Sequence, residues 1–87
     1  MPDALTDLAA KRTAEIRDIV ADLFSAEPAE VETATSFVDD LDADSLLAIE
    51  LLTHLERRYG VSIREDEIVE MTDLKATYEI VARNAGW

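Results

Sequence analysis

The chain has 87 residues, 48% of them hydrophobic, and its twenty acids against eight bases give a formal net charge of -12. That is one small domain with material for a single modest core, and the absence of cysteine excludes a disulfide framework and a thiolate zinc site. Nucleic acid and anionic membrane surfaces are excluded as partners, because both call for the Lys and Arg that this chain lacks, so the expected partners present basic patches.

No apolar run approaches the length of a membrane span, and Met1-Pro2-Asp3-Ala4-Leu5 lacks the basic start and apolar core of a signal peptide. The expectation is a soluble cytoplasmic monomer, with residues 1–87 as one discrete domain. Only 2 Gly and 2 Pro accompany 32% charged residues, which points to helix.

The first helix is expected over about Ala4–Ser25, where Ile16, Ile19, Val20, Leu23 and Phe24 make one apolar stripe. It should stop before Glu27-Pro28, since a residue preceding proline avoids helical geometry. A long loop is expected over about Ala26–Asp44, packed down by Val31, Phe37, Val38 and Leu41. The second helix should start at Ser45, capped by Asp44, and end at Tyr59 before Gly60. A short acidic helix is expected over about Arg64–Glu70, with Ser62 and Glu65 as a capping box. Its acids, Glu65, Asp66, Glu67 and Glu70, read as a solvated face. The last helix, about Asp73–Ala85, carries the stripe Leu74, Thr77, Tyr78 and Val81 with Ile80 beside it, and Gly86 ends it. Trp87 reads as a surface-lying end. The predicted fold is all-α: a small four-helix bundle of three longer helices and one short one, with a long loop between the first two.

On a wheel of about 100° per residue, Ala48, Leu51, Leu52, Leu55 and Tyr59 form the buried face of the second helix. Leu46 and Ile49 fall off that face, beside Ser45, with Glu50, Thr53, Glu56 and Arg57 sharing the surface. Four acids, Asp39, Asp40, Asp42 and Asp44, precede the serine. A serine after an aspartate at a helix start is also an ordinary capping arrangement, so the wheel alone leaves a purely structural role open.

The stretch from Phe37 through Asp44-Ser45-Leu46 resembles the signature of acyl carrier proteins. The similarity continues through Glu50-Leu51-Leu52, Leu55-Glu56, Tyr59-Gly60-Val61-Ser62-Ile63 and Thr72-Asp73-Leu74, covering about residues 14–85. The resemblance implies a non-catalytic carrier. A phosphopantetheinyl transferase would move 4'-phosphopantetheine from coenzyme A onto Ser45, and the arm's thiol would hold acyl groups as thioesters. It further implies that Leu46, Ile49 and Glu50 are docking positions for ketosynthase, acyltransferase and other synthase enzymes, and that Asp44 matters to the transferase. No catalytic residue and no metal ligand is implied. Asp42 stands where the family often has glycine. Leu47, Arg57 and Arg58 stand where fatty-acid carriers tend to be more acidic, and Leu46-Leu47-Ala48-Ile49-Glu50-Leu51 resembles the helix start of polyketide carriers. Polyketide biosynthesis is therefore the expected pathway. The alternatives are a fatty-acid or peptidyl carrier and, from another class, an unmodified acidic interaction module.

A hydrolase and a calcium loop fit less well. His54 is the only histidine, and nine residues on from Ser45 it falls on the opposite side of the same helix. Asp39 to Glu50 has an acid at each end of twelve residues, but Leu41, Ala43 and Leu47 stand at inner ligand positions of an EF-hand.

Overall fold

In the computed structural model, which describes the backbone from residue 4 and side chains from residue 7 to residue 87, α1 spans Ala4–Phe24. Its stripe buries Ile16 and Val20 completely, with Ala21 beside them and Ile19, Leu23 and Phe24 packed at the edge. Burial of each large aliphatic side chain contributes about 1.5–3 kcal/mol. The helix stops where Ser25 turns left-handed at φ 53° and Ala26 N–H donates to the Ala21 carbonyl at 3.0 Å.

The connection that follows is ordered into two short helices, α2 (Pro28–Thr33) and α3 (Phe37–Leu41). At six and five residues they are too brief to display a helical period, so the sequence shows only their anchors. Local capping starts each one. Pro28 opens α2, and Glu30 accepts the Glu27 N–H at 3.1 Å. Ser36 Oγ accepts the Asp39 N–H at 3.3 Å at the start of α3. Asp40 turns back and accepts the N–H groups of Thr35 and Ser36 at 2.8 and 3.2 Å. Those bonds hold its carboxyl below the ordinary carboxylate range. Val31 and Phe37 are the buried anchors, with Phe37 edge-on to Phe24 at 5.6 Å.

α4 runs Ser45–Tyr59, with the expected bounds. Leu51, Leu52 and Leu55 form its buried face, and Ala48 and Tyr59 are half-buried beside them. Gly60 ends the helix at φ 64°, a left-handed conformation that costs glycine little. A 3-10 helix, Glu65–Glu70, then leads to α5, Leu74–Ala85. Asp73 caps α5 by accepting the Ala76 N–H at 2.8 Å. Buried Thr77 is satisfied by donating to the Asp73 carbonyl at 2.7 Å. α1 packs against α2, α4 and α5, and the 3-10 helix closes on α4 and α5. Among the described residues there are six helices and no strand, so the three-long, one-short bundle gains two small helices.

Two expectations change and a third gains detail. The cap of the 3-10 helix is Glu67, which accepts the Arg64 N–H at 3.1 Å, and not the Ser62–Glu65 pair. Glu67 is also no part of a solvated face: it is 6% exposed and receives Arg83 Nη2 at 2.7 Å and Asn84 Nδ2 at 3.2 Å. Its partners lie on α5, beyond the reach of a local reading. Trp87 lies at the surface as expected, 36% exposed, and is held there by its neighbours. Its ring lies edge-on to Tyr59 at 5.1 Å and near Tyr78 at 5.9 Å, with the Arg12 guanidinium 4.0 Å from its centre.

The Glu67 clasp gives the fold a pH dependence. The Arg83 hydrogen bond, then the Arg64 N–H and Asn84, lower its pKa from the ordinary 4.5 to about 2. A carboxyl depressed on folding stabilises the native state above the unfolded value, and that contribution fades as pH falls from 4.5 toward 2. Thermal melts should therefore lose stability across that window, and Glu67→Gln should flatten the loss while lowering the plateau near neutrality. Added salt at neutral pH acts in the other direction, raising the melting temperature by screening the excess of negative charge.

Candidate functional site

The turn before α4 is built to present its first residue. Ala43 is buried and its N–H donates to the Phe37 carbonyl at 3.2 Å, which pins the turn to α3. Asp42 makes the bend in a left-handed conformation, φ 54° and ψ 33°. Glycine adopts that geometry most readily, and aspartate is among the few other residues that tolerate it. Asp42 thus does here the conformational work that a glycine would do. Asp44 Oδ1 then accepts the Leu47 N–H at 2.9 Å, a cap worth about 1 kcal/mol.

Ser45 is the first residue of α4 and is exposed. Its hydroxyl makes no hydrogen bond among the described residues, and neither its own N–H nor that of Leu46 has an acceptor there. An exposed hydroxyl beside free N–H groups at the positive end of a fifteen-residue helix suits a phosphate ester. Leu46 and Ile49 are 63% and 50% exposed, as the wheel requires, and Glu50 is exposed beside them.

Beside the serine lies an apolar cleft of about 710 Å³, with Asp44, Ser45 and Ile49 among its lining residues. Ala48 and Leu51 of α4 form one wall, Phe37 and Val38 of α3 a second, and Ile68, Val69 and Met71 a third. Val38 and Val69 are exposed, Val69 by 79%. Sequence reasoning did not assign the α3 and 3-10 walls. Val69 sits within an acidic run whose helix has no apolar stripe to betray it, and those two walls meet through core packing of Phe37 with Met71 and through the Phe37 N–H bond to the Thr72 carbonyl, 2.7 Å.

The rival chemistries find no support in this geometry. His54 is exposed and its ring makes no hydrogen bond among the described residues, Ser45 included. Across the would-be calcium loop, Asp40 and Asp44 direct their carboxylates at backbone N–H groups.

The chain is similar to known proteins. A family model described as a phosphopantetheine attachment site matches residues 14–81. The chain is 38% identical over 86 residues to polyketide-8 synthase acyl carrier protein 2 of Streptomyces avermitilis, covering 99% of this chain and 97% of that one. It is 40% identical over 80 residues to polyketide-8 synthase acyl carrier protein 1 of the same organism, covering 92% and 95%. A chain from the solved structure of the ishigamide ketosynthase/chain length factor superposes with a TM-score of 0.70 at 36% identity, covering 88% of this chain and 97% of that one.

Proposed function

The chain belongs to the acyl carrier protein family, and from that premise we propose that Ser45 is the residue to which its 4'-phosphopantetheine arm is attached. A protein of this family is a non-catalytic carrier: it holds acyl intermediates and presents them to the enzymes of a synthase. The arm supplies a thiol, on which the acyl group rides as a thioester, so a cysteine-free chain can serve thioester chemistry. Polyketide biosynthesis is the pathway that the two Streptomyces avermitilis carriers and the ketosynthase/chain length factor neighbour support.

The observation that carries the assignment is the position of Ser45, exposed, its hydroxyl without a hydrogen bond among the described residues, and first on α4 inside the matched span. Each neighbour has a task in this proposal. Asp44 fixes the helix start and faces the phosphopantetheinyl transferase. Leu46 and Ile49 offer apolar contact to the docked enzyme, and Glu50 offers it a charge. Ketosynthase and acyltransferase partners with basic patches fit the charge of -12, which speeds their encounter with the carrier. The apolar cleft gives the carried chain a place out of water next to its attachment point. Residues 1–87 act here as one carrier domain, monomeric and in the cytoplasm.

The test is the intact mass after incubation with coenzyme A, magnesium and a broad-specificity phosphopantetheinyl transferase. A gain of one phosphopantetheinyl group supports the assignment. No gain, with a transferase active on another carrier, overturns it in favour of an unmodified interaction module.

A further inference from the structure

The charged residues of α4 divide by whether the fold uses them. Glu56 is engaged, accepting the Ile63 N–H at 3.0 Å and so fixing the chain after Gly60. Arg58 is engaged, reaching Glu15 of α1 at 3.4 Å and lying 5.3 Å from the Tyr59 ring centre. Glu50 and Arg57 are exposed and form no ion pair or side-chain hydrogen bond among the described residues. They are seven residues apart, which on an α-helix is two turns, about 10 Å along the axis and within about 20° of the same face. Leu46, four residues before Glu50, lies on that line too. The face that starts beside Ser45 is therefore bipolar: an exposed leucine, then an unpaired acid, then an unpaired base.

Helix-dipole complementation favours both Arg57 and Arg58 in the last turn. It does not set the order of charge along the face, an acid near the serine and a base two turns on, on a chain with twenty acids and only eight bases. A partner surface that is uniformly basic would be repelled at Arg57 and attracted at Glu50. We propose that Arg57 is a specificity-determining residue, and that the synthase enzyme which docks on α4 carries a carboxylate opposite Arg57, about 10 Å along the helix from the basic group opposite Glu50. This proposal rests on the carrier assignment above. It adds a requirement that net charge alone does not impose, because a partner must match the order of the two charges and not only the acidity of the whole.

The probe is the ishigamide ketosynthase/chain length factor, a complex containing a chain similar to this one. Wild type, Arg57→Lys, Arg57→Glu and Glu50→Lys are each loaded by the transferase with an arm bearing an electrophilic acyl analogue, and the rate of covalent capture by the ketosynthase is followed at low and high salt. Capture is compared on samples matched for their loaded fraction, and the wild type and its three variants should share one circular-dichroism spectrum. Capture of Arg57→Glu should be slower than wild type by roughly tenfold at low salt, with most of the difference lost at high salt. Arg57→Lys should stay near wild type, and Glu50→Lys should also be slow. Capture of Arg57→Glu as fast as or faster than wild type overturns the proposal and leaves the carrier assignment standing. Failure of the wild type to load removes the carrier assignment itself, and the proposal falls with it.

Discussion

On the proposed assignment, Ser45→Ala should abolish phosphopantetheinylation completely while leaving the fold in place. The hydroxyl is exposed and bonded to nothing among the described residues, so its removal leaves no buried group unsatisfied. Alanine is the better helix former at the start of α4, and the Asp44 cap acts on Leu47 rather than on the serine. The change in unfolding free energy should stay within about 0.5 kcal/mol. Intact mass and a thermal melt on the same sample check both halves. A modified Ser45→Ala chain would move the attachment point elsewhere. An unfolded one would mean that the serine belongs to the architecture after all.

Leu55→Ala is expected to have the opposite profile. Leu55 is fully buried on the helix that packs against α1, in a cluster with Ile16, Val20, Leu51 and Val81. Truncating such a leucine costs about 2–5 kcal/mol, from lost burial and from the cavity left behind. A domain of this size has a total stability on the order of 5–10 kcal/mol, so the loss is a large fraction of the whole. The melting temperature should fall by on the order of 10–20 °C. Loading at Ser45 should persist below the new midpoint, since the attachment turn is held by its own bonds at Ala43 and Asp44. Urea titration with and without the substitution measures the difference. A cost under about 1 kcal/mol would show that the core closes over the gap.

The two variants separate what the sequence states locally from what it leaves to tertiary structure. α4 was legible almost to the residue, because a capping aspartate, a 3.6-residue apolar period and a terminating glycine all fall within one continuous stretch. For the same reason the wheel placed Leu46 and Ile49 outward correctly. α2 and α3 were not legible, since five or six residues cannot express a period and their capping bonds look like ordinary loop polarity. Glu67 was misjudged because an acid in an acidic run looks solvated until Arg83 and Asn84, sixteen and seventeen residues later, are folded over it. The apolar cleft was hidden in the same way: three separate segments form its walls, and none of them shows a stripe that points to the others.

The docked end of the chain has a spectroscopic consequence. Trp87 is the only tryptophan, and it is seated where α1, α4 and α5 converge, touching Arg12, Tyr59 and Tyr78. α4 is about 22 Å long, and Ser45 and Tyr59 lie at its opposite ends. Indole emission therefore watches the junction of the three long helices from the pole remote from the cargo. It should shift to the red when the bundle comes apart, with loss of energy transfer from the two tyrosines, and should hold steady while the serine end is loaded and discharged.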